Sequence, residues 1–87
     1  MSQNVLRFAL EMQRELDINK HKSGWWNLTP KQCLNRLRQE TAEVARAISQ
    51  NKTPDKVTSE CADVANFAMF LSNIWRDLKM DEVENGE

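Results

Sequence analysis

The sequence of 87 residues has no tyrosine, one histidine, two cysteines, two glycines and two prolines, and these shortages narrow its chemistry. Cys33 and Cys61 stand alone rather than as a Cys-x-x-Cys pair, each beside apolar neighbours, which points to reduced packing residues and away from redox or metal work. The single histidine, His21, cannot build a zinc site. No apolar run approaches the roughly 20 residues that a bilayer crossing needs, and the N-terminus lacks a charged start followed by an apolar signal core. These absences predict a cytoplasmic protein with no membrane partner. A formal charge of -1 gives no electrostatic case for nucleic acid, whose binders usually carry a basic patch. A chain this short forms at most one domain and buries a modest share of its surface, so oligomerisation is the expected remedy.

What the chain does contain is helical periodicity. A first helix is predicted from about Gln3 to Lys20, with Val5, Phe8, Ala9, Met12 and Leu16 on its inner face and Arg7, Glu11, Arg14 and Glu15 largely outside. Ser23-Gly24 breaks it. Thr29-Pro30-Lys31-Gln32 supplies a capping residue, a first-turn proline and a glutamine placed to reach back, opening a second helix that runs to about Ser49. After the polar turn Gln50-Asn51-Lys52, Thr53-Pro54 repeats the cap-then-proline signal before a long helix extending to about Leu78. No segment requires a strand. The expected fold class is all-α, a bundle of three main helices over residues 1–80. Its third helix is apolar on several sides, through Val57, Cys61, Val64, Phe67, Phe70, Leu71, Ile74 and Trp75 among others. That breadth calls for completion as a homodimer or homotetramer. Residues 81–87 are acidic and poor in apolar groups, and read as a disordered tail.

Two acidic pairs interrupt this pattern, Glu40-Thr41-Ala42-Glu43 and Glu60-Cys61-Ala62-Asp63. Helical residues three apart have Cβ atoms roughly 5 to 6 Å apart, so each pair can present two carboxylates to one point. On the second helix the apolar stripe is Leu34, Leu37, Thr41, Val44 and Ile48, with Glu40 at its edge and Glu43 further round. On the third, Val57, Val64, Phe67, Leu71 and Ile74 place Glu60 near the middle of the stripe and Asp63 on its flank. Ionised carboxylates in such surroundings are costly and repel one another, and a divalent cation removes both problems. Carboxylate oxygens are hard ligands suited to magnesium or manganese. Magnesium usually completes its shell with water and substrate phosphates, so the cluster points to a phosphate substrate. Two other arrangements use the same residues. Asp63 can pair with Arg36 or Arg46, or the chain can be a non-enzymatic helical oligomer whose third helix docks on another protein.

The order Glu-x-x-Glu then Glu-x-x-Asp, carried by Glu40, Glu43, Glu60 and Asp63, resembles the signature of the all-α nucleoside triphosphate pyrophosphohydrolases of the MazG type. The flanking His21-Lys22-Ser23-Gly24-Trp25-Trp26 and Asp63-Val64-Ala65-Asn66-Phe67-Ala68-Met69 look like a phage-associated branch, the dATP/dGTP diphosphohydrolases or MazZ type. The resemblance covers about residues 5 to 76. The chain is short beside many members, with little after its last long helix. The resemblance implies attack at the α-phosphorus of a purine deoxynucleoside triphosphate, releasing pyrophosphate and a monophosphate, with Mg2+ as cofactor and Mn2+ as a substitute. It implies that Glu40, Glu43, Glu60 and Asp63 touch metal and carry catalysis. Substrate contacts are expected from Lys20, His21 and Lys22 on phosphate oxygens, the alternative for the latter two being a solvated helix terminus. Of Trp25 and Trp26, one is expected in the core and one near substrate. Asn66, three residues after Asp63, can read a base edge, a sugar hydroxyl or a metal-bound water, or make a simple inter-helix hydrogen bond.

Overall fold

Capping chemistry sets where the helices begin. The computed structural model describes residues 1–19 and 24–85. Helix α1, Gln3–Ile18, starts at Ser2, whose hydroxyl accepts from the Val5 amide at 3.1 Å. A single 3₁₀ turn at Trp25–Asn27 follows Gly24, which holds φ at 124° and so needs glycine. Helix α2, Pro30–Ser49, opens with the expected capping box: the Gln32 amide donates to Thr29 Oγ1 at 3.1 Å and the Thr29 amide to Gln32 Oε1 at 3.0 Å. It closes in a Schellman motif. Asn51 takes the left-handed conformation at φ 52°, and the Lys52 amide reaches back to the Ala47 carbonyl at 3.0 Å. Helix α3, Pro54–Asn85, starts from Thr53, whose hydroxyl accepts from the Lys56 amide at 3.2 Å.

The all-α reading holds, and among the described residues there is no strand. Two boundaries differ from expectation. Helix α1 ends at Ile18, capped by Asn19. Helix α3 continues past Leu78 to Asn85, so the first part of the acidic segment expected to be disordered is helical. No glycine or proline interrupts it before Gly86, and Lys79 pairs with Glu82 one turn on at 3.1 Å. No helix among the described residues is long and apolar enough to cross a membrane.

Helix α3 is the spine, with α1 and α2 both laid against it. The core is formed by Cys33 of α2 with Phe70 and Ile74 of α3, and Leu16, Trp25, Leu28 and Phe67 pack around them. Burial corrects the stripes read from the sequence. On α2, Cys33 and Ala47 are buried whereas Thr41 and Ile48 are exposed, so the inner face is turned toward Glu40. On α1 the outcome is sharper: Val5 and Ala9 are exposed and Glu15, assigned to the outside, is buried. Only the C-terminal part of α1 meets α3 closely, and there the face is chosen by what α3 presents, a serine and an asparagine as well as apolar groups.

Candidate metal and substrate site

The α2–α3 contact brings carboxylates together because both Glu-x-x-acid pairs lie at facing levels of the two helices. Single oxygens of Glu40, Glu60 and Asp63 all lie within 4.8 Å of one another. The side chains of Glu40 and Glu60 are only 16% and 12% exposed. Opposite ligands on magnesium lie about 4.2 Å apart, twice its bond length, so small side-chain shifts would close this triangle on a cation.

Each acid has a different neighbour. Glu60 accepts from Lys56 Nζ at 2.8 Å, one turn earlier on α3. Glu40 faces Arg36 at 3.5 Å, a long contact, and Arg36 also lies over the Phe67 ring at 5.2 Å. Asp63 has no ion-pair partner among the described residues, so the pairing with Arg36 or Arg46 does not form. Arg46 is taken by Glu43 at 2.7 Å. That bond turns Glu43 out to 44% exposure and leaves it outside the triangle. Arg46 draws it outward because it lies three residues on, in the last turn of α2.

The electrostatics agree with the geometry. Burial, and then the charges of Glu15, Glu40 and Glu60, push the Asp63 carboxyl up to about 7. Burial also raises Glu40, against the pull of Arg36, with Glu60 and Glu43 adding to the rise. These groups repel negative charge that their surroundings do not offset, the condition that a bound cation relieves.

Glu40 and Asp63 open into a cavity of about 760 Å³ between the three helices and the 3₁₀ turn, whereas Glu60 lies on the side away from it, with Glu43, Arg46 and Lys56. Glu40, Asp63 and Arg36 supply part of its wall, and Leu16, Leu28, Trp25, Phe67 and Phe70 supply the apolar part. Trp25 stacks flat on Phe70, centroids 4.6 Å apart, while Trp26 meets it edge-on and stays 58% exposed. Trp25 thus both packs the bundle end and lines the cavity, and Trp26 does not reach it. Asn66 lines it too, buried at 4% exposure, with its amide nitrogen donating to the Met12 carbonyl at 3.0 Å. Lys20, His21 and Lys22 lie outside the described residues.

Glu15 was missed from sequence. It lines the same cavity and accepts the Ser59 hydroxyl at 2.7 Å. Its position among polar residues of α1 gave no signal; only Ser59, on the α3 face toward α1, could have hinted at it.

Residues 28–86 match the family model of the MazG nucleotide pyrophosphohydrolase domain, a span that holds all four acids and both long helices bearing them. The chain belongs to the MazG family. Nucleotide pyrophosphohydrolysis is the activity of that family, and its enzymes are generally dependent on a divalent metal. No match is found among curated proteins or among solved structures. The Glu40–Glu60–Asp63 triangle therefore sits inside the matched domain, where an acidic cluster suits the metal dependence of MazG enzymes.

Proposed function

We propose that this MazG-family chain hydrolyses a purine deoxynucleoside triphosphate, dGTP or dATP, to the monophosphate and pyrophosphate, with magnesium as its cofactor and manganese able to replace it. One observation carries the reading: inside the matched domain, three carboxylate oxygens converge within 4.8 Å, and two of the three acids, Glu40 and Asp63, line an aromatic-walled cavity. Glu40, Glu60 and Asp63 would hold the cation, with Glu43 the fourth ligand once it leaves Arg46. A bound divalent cation offsets phosphate charge and lowers the pKa of a bound water. The chain's own part is to place the α-phosphorus against these acids and to keep the base in the apolar end beside Trp25 and Phe67. The water oxygen bonds to the α-phosphorus, the bond to the bridging oxygen of pyrophosphate breaks, and one carboxylate takes the water's proton. Lys20, His21 and Lys22, which precede Gly24 in sequence, are the expected phosphate donors in this reading.

The preference for purine deoxynucleotides and a place in the phage-associated MazZ branch rest on the flanking segments around His21–Trp26 and Asp63–Met69. The same reading places the enzyme in the cytoplasm, with the nucleotide pool. The assembly is a homodimer or homotetramer. Its support is the exposed apolar surface of one subunit, Val5, Leu6 and Leu10 on α1 and Trp75, Leu78 and Met80 on α3. Pyrophosphate release with magnesium across canonical deoxynucleoside and ribonucleoside triphosphates, run beside Glu60→Gln, tests the activity. The parent is expected to release pyrophosphate and monophosphate, fastest from dGTP or dATP, and the variant to be silent. Release of single orthophosphates, or equal rates from both proteins, would overturn it.

A further inference from the structure

A small cleft of about 80 Å³ lies where α2 ends and α3 begins, with Glu43, Arg46, Gln50, Lys52, Lys56 and Glu60 in its wall. Three of these are cations. In the wall of the larger cavity, Arg36 is the single cation among the described residues. On α2, Arg36, Glu40, Glu43, Ala47 and Gln50 recur at steps of three and four, so the linings of cavity and cleft follow one side of that helix. The two helices run antiparallel, Cys33 meeting Phe67 at one end and Ala47 sharing the cleft with Lys56 at the other. The groove therefore has an order. Along α3, Phe67 lies about 6 Å to one side of Asp63 and Lys56 about 10 Å to the other, taking the helical rise per residue. Aromatic rings stand at one end, acids in the middle and bases at the far end.

Two of the three cations are held by acids of the site, Lys56 by Glu60 at 2.8 Å and Arg46 by Glu43 at 2.7 Å, and both basic side chains are half exposed. Lys52 is exposed and has no ion-pair partner among the described residues. A carboxylate that turns toward a divalent cation gives up such a pair, and its base is then free for another anion. We infer that Arg46, Lys52 and Lys56 seat the leaving pyrophosphate, so that a nucleoside triphosphate lies along the groove with its base at Phe67 and Trp25, its α-phosphorus at Glu40, Glu60 and Asp63, and its β- and γ-phosphates in the cleft. This rests on the reading of the acids as a metal site that cleaves at the α-phosphorus. Lysine and arginine donate charge-assisted hydrogen bonds to phosphate oxygens. When the bond from the α-phosphorus to the bridging oxygen breaks, its electron pair stays with pyrophosphate, and cations already in place offset that charge. Reversed in the groove, the β- and γ-phosphates would lie among Leu16, Leu28, Phe67 and Phe70, with Arg36 alone among the described residues to offset them.

Isothermal titration calorimetry of the intact protein with pyrophosphate and with dGMP, each in magnesium, reads the two ends of the groove separately. Lys52→Gln, which disturbs no ion pair of the acids, is expected to weaken pyrophosphate binding about tenfold, the scale of one charge-assisted hydrogen bond, and to leave dGMP binding unchanged. Lys56→Gln should weaken pyrophosphate more than dGMP. Lys79→Gln, an equal change of charge at the far end of α3, should alter neither. Pyrophosphate affinity unmoved in both cleft variants, in a parent that releases pyrophosphate from dGTP, would overturn the seat and leave the proposed activity standing. An equal loss in Lys79→Gln would reduce the effect to net charge and overturn it as well. Weakened dGMP with pyrophosphate unmoved would turn the nucleotide round in the groove, against the inference. A parent that neither binds pyrophosphate nor releases it from dGTP would remove both readings.

Discussion

Among the acids of the α2–α3 contact, Asp63 has no ion-pair partner among the described residues, whereas Glu40 has Arg36, Glu43 has Arg46 and Glu60 has Lys56. Its carboxyl is raised from 3.8 to about 7 in the metal-free fold, first by burial and then by Glu15, Glu40 and Glu60. Between these two values the folded chain holds a proton that the unfolded chain has released. Stability of the metal-free protein therefore falls as pH rises through that window, and the loss is complete above it. Thermal melts in chelator should show a lower midpoint at pH 8 than at pH 5. Asp63→Asn should flatten that slope, raise the midpoint at pH 8 and remove most of the gain from added magnesium. A variant as pH-sensitive as the parent would show that the strain lies elsewhere. Four site acids were legible in the sequence as residue types at helical spacing, yet their inequality was not. Glu43 is turned away by Arg46 and Asp63 has no ion pair among the described residues, and which arginine finds which acid depends on rotamers across a helix surface.

At the scale of elements, the start signals were fully readable, because a cap is a local bond between residues three apart. Thr29→Ala removes the hydroxyl of the α2 capping box and should cost about 0.5–2 kcal/mol, read as a lower urea midpoint at unchanged slope. An unmoved midpoint would mean that tertiary contacts alone hold this end. The end of α3 was read too short, since composition alone argued for disorder and said nothing of the Lys79–Glu82 pair that extends the helix. Asp81 and Glu82 are exposed, so truncation after Asp81 should move the midpoint by no more than about 0.5 kcal/mol. A larger loss would tie this last turn to the assembly. The faces of the helices were less legible than their ends. Ile48 and Val5 looked as fit for burial as Cys33 and Leu16, and only the partner helix distinguishes them.

The whole molecule is elongated, 53 × 29 × 23 Å with a radius of gyration of 15.0 Å, against about 12 Å for a compact chain of this length. The cause is α3, whose 32 residues span about 48 Å, well beyond what α1 and α2 cover. The core is correspondingly small, and Phe70 is its largest buried side chain, at 6% exposure against Trp25. Phe70→Ala should cost about 3–5 kcal/mol and open the cavity wall, seen as a large drop in denaturant midpoint. A drop below about 1 kcal/mol would show that the aromatic stack contributes little. Sedimentation of the parent should give a dimer or tetramer, and a monomer at micromolar concentration would mean that the exposed apolar residues of α1 and α3 serve another purpose.

The sequence by itself determined the all-α class, the helix starts and the identity of the acid pairs, because these depend on residue type and spacing within one helix. Tertiary structure alone decided that Glu40 faces inward, that Glu43 faces Arg46, and that Glu15 and Asn66 join the cavity. Those outcomes depend on which face of one helix meets another, and rotation about a helix axis is set by long-range packing that no local pattern encodes.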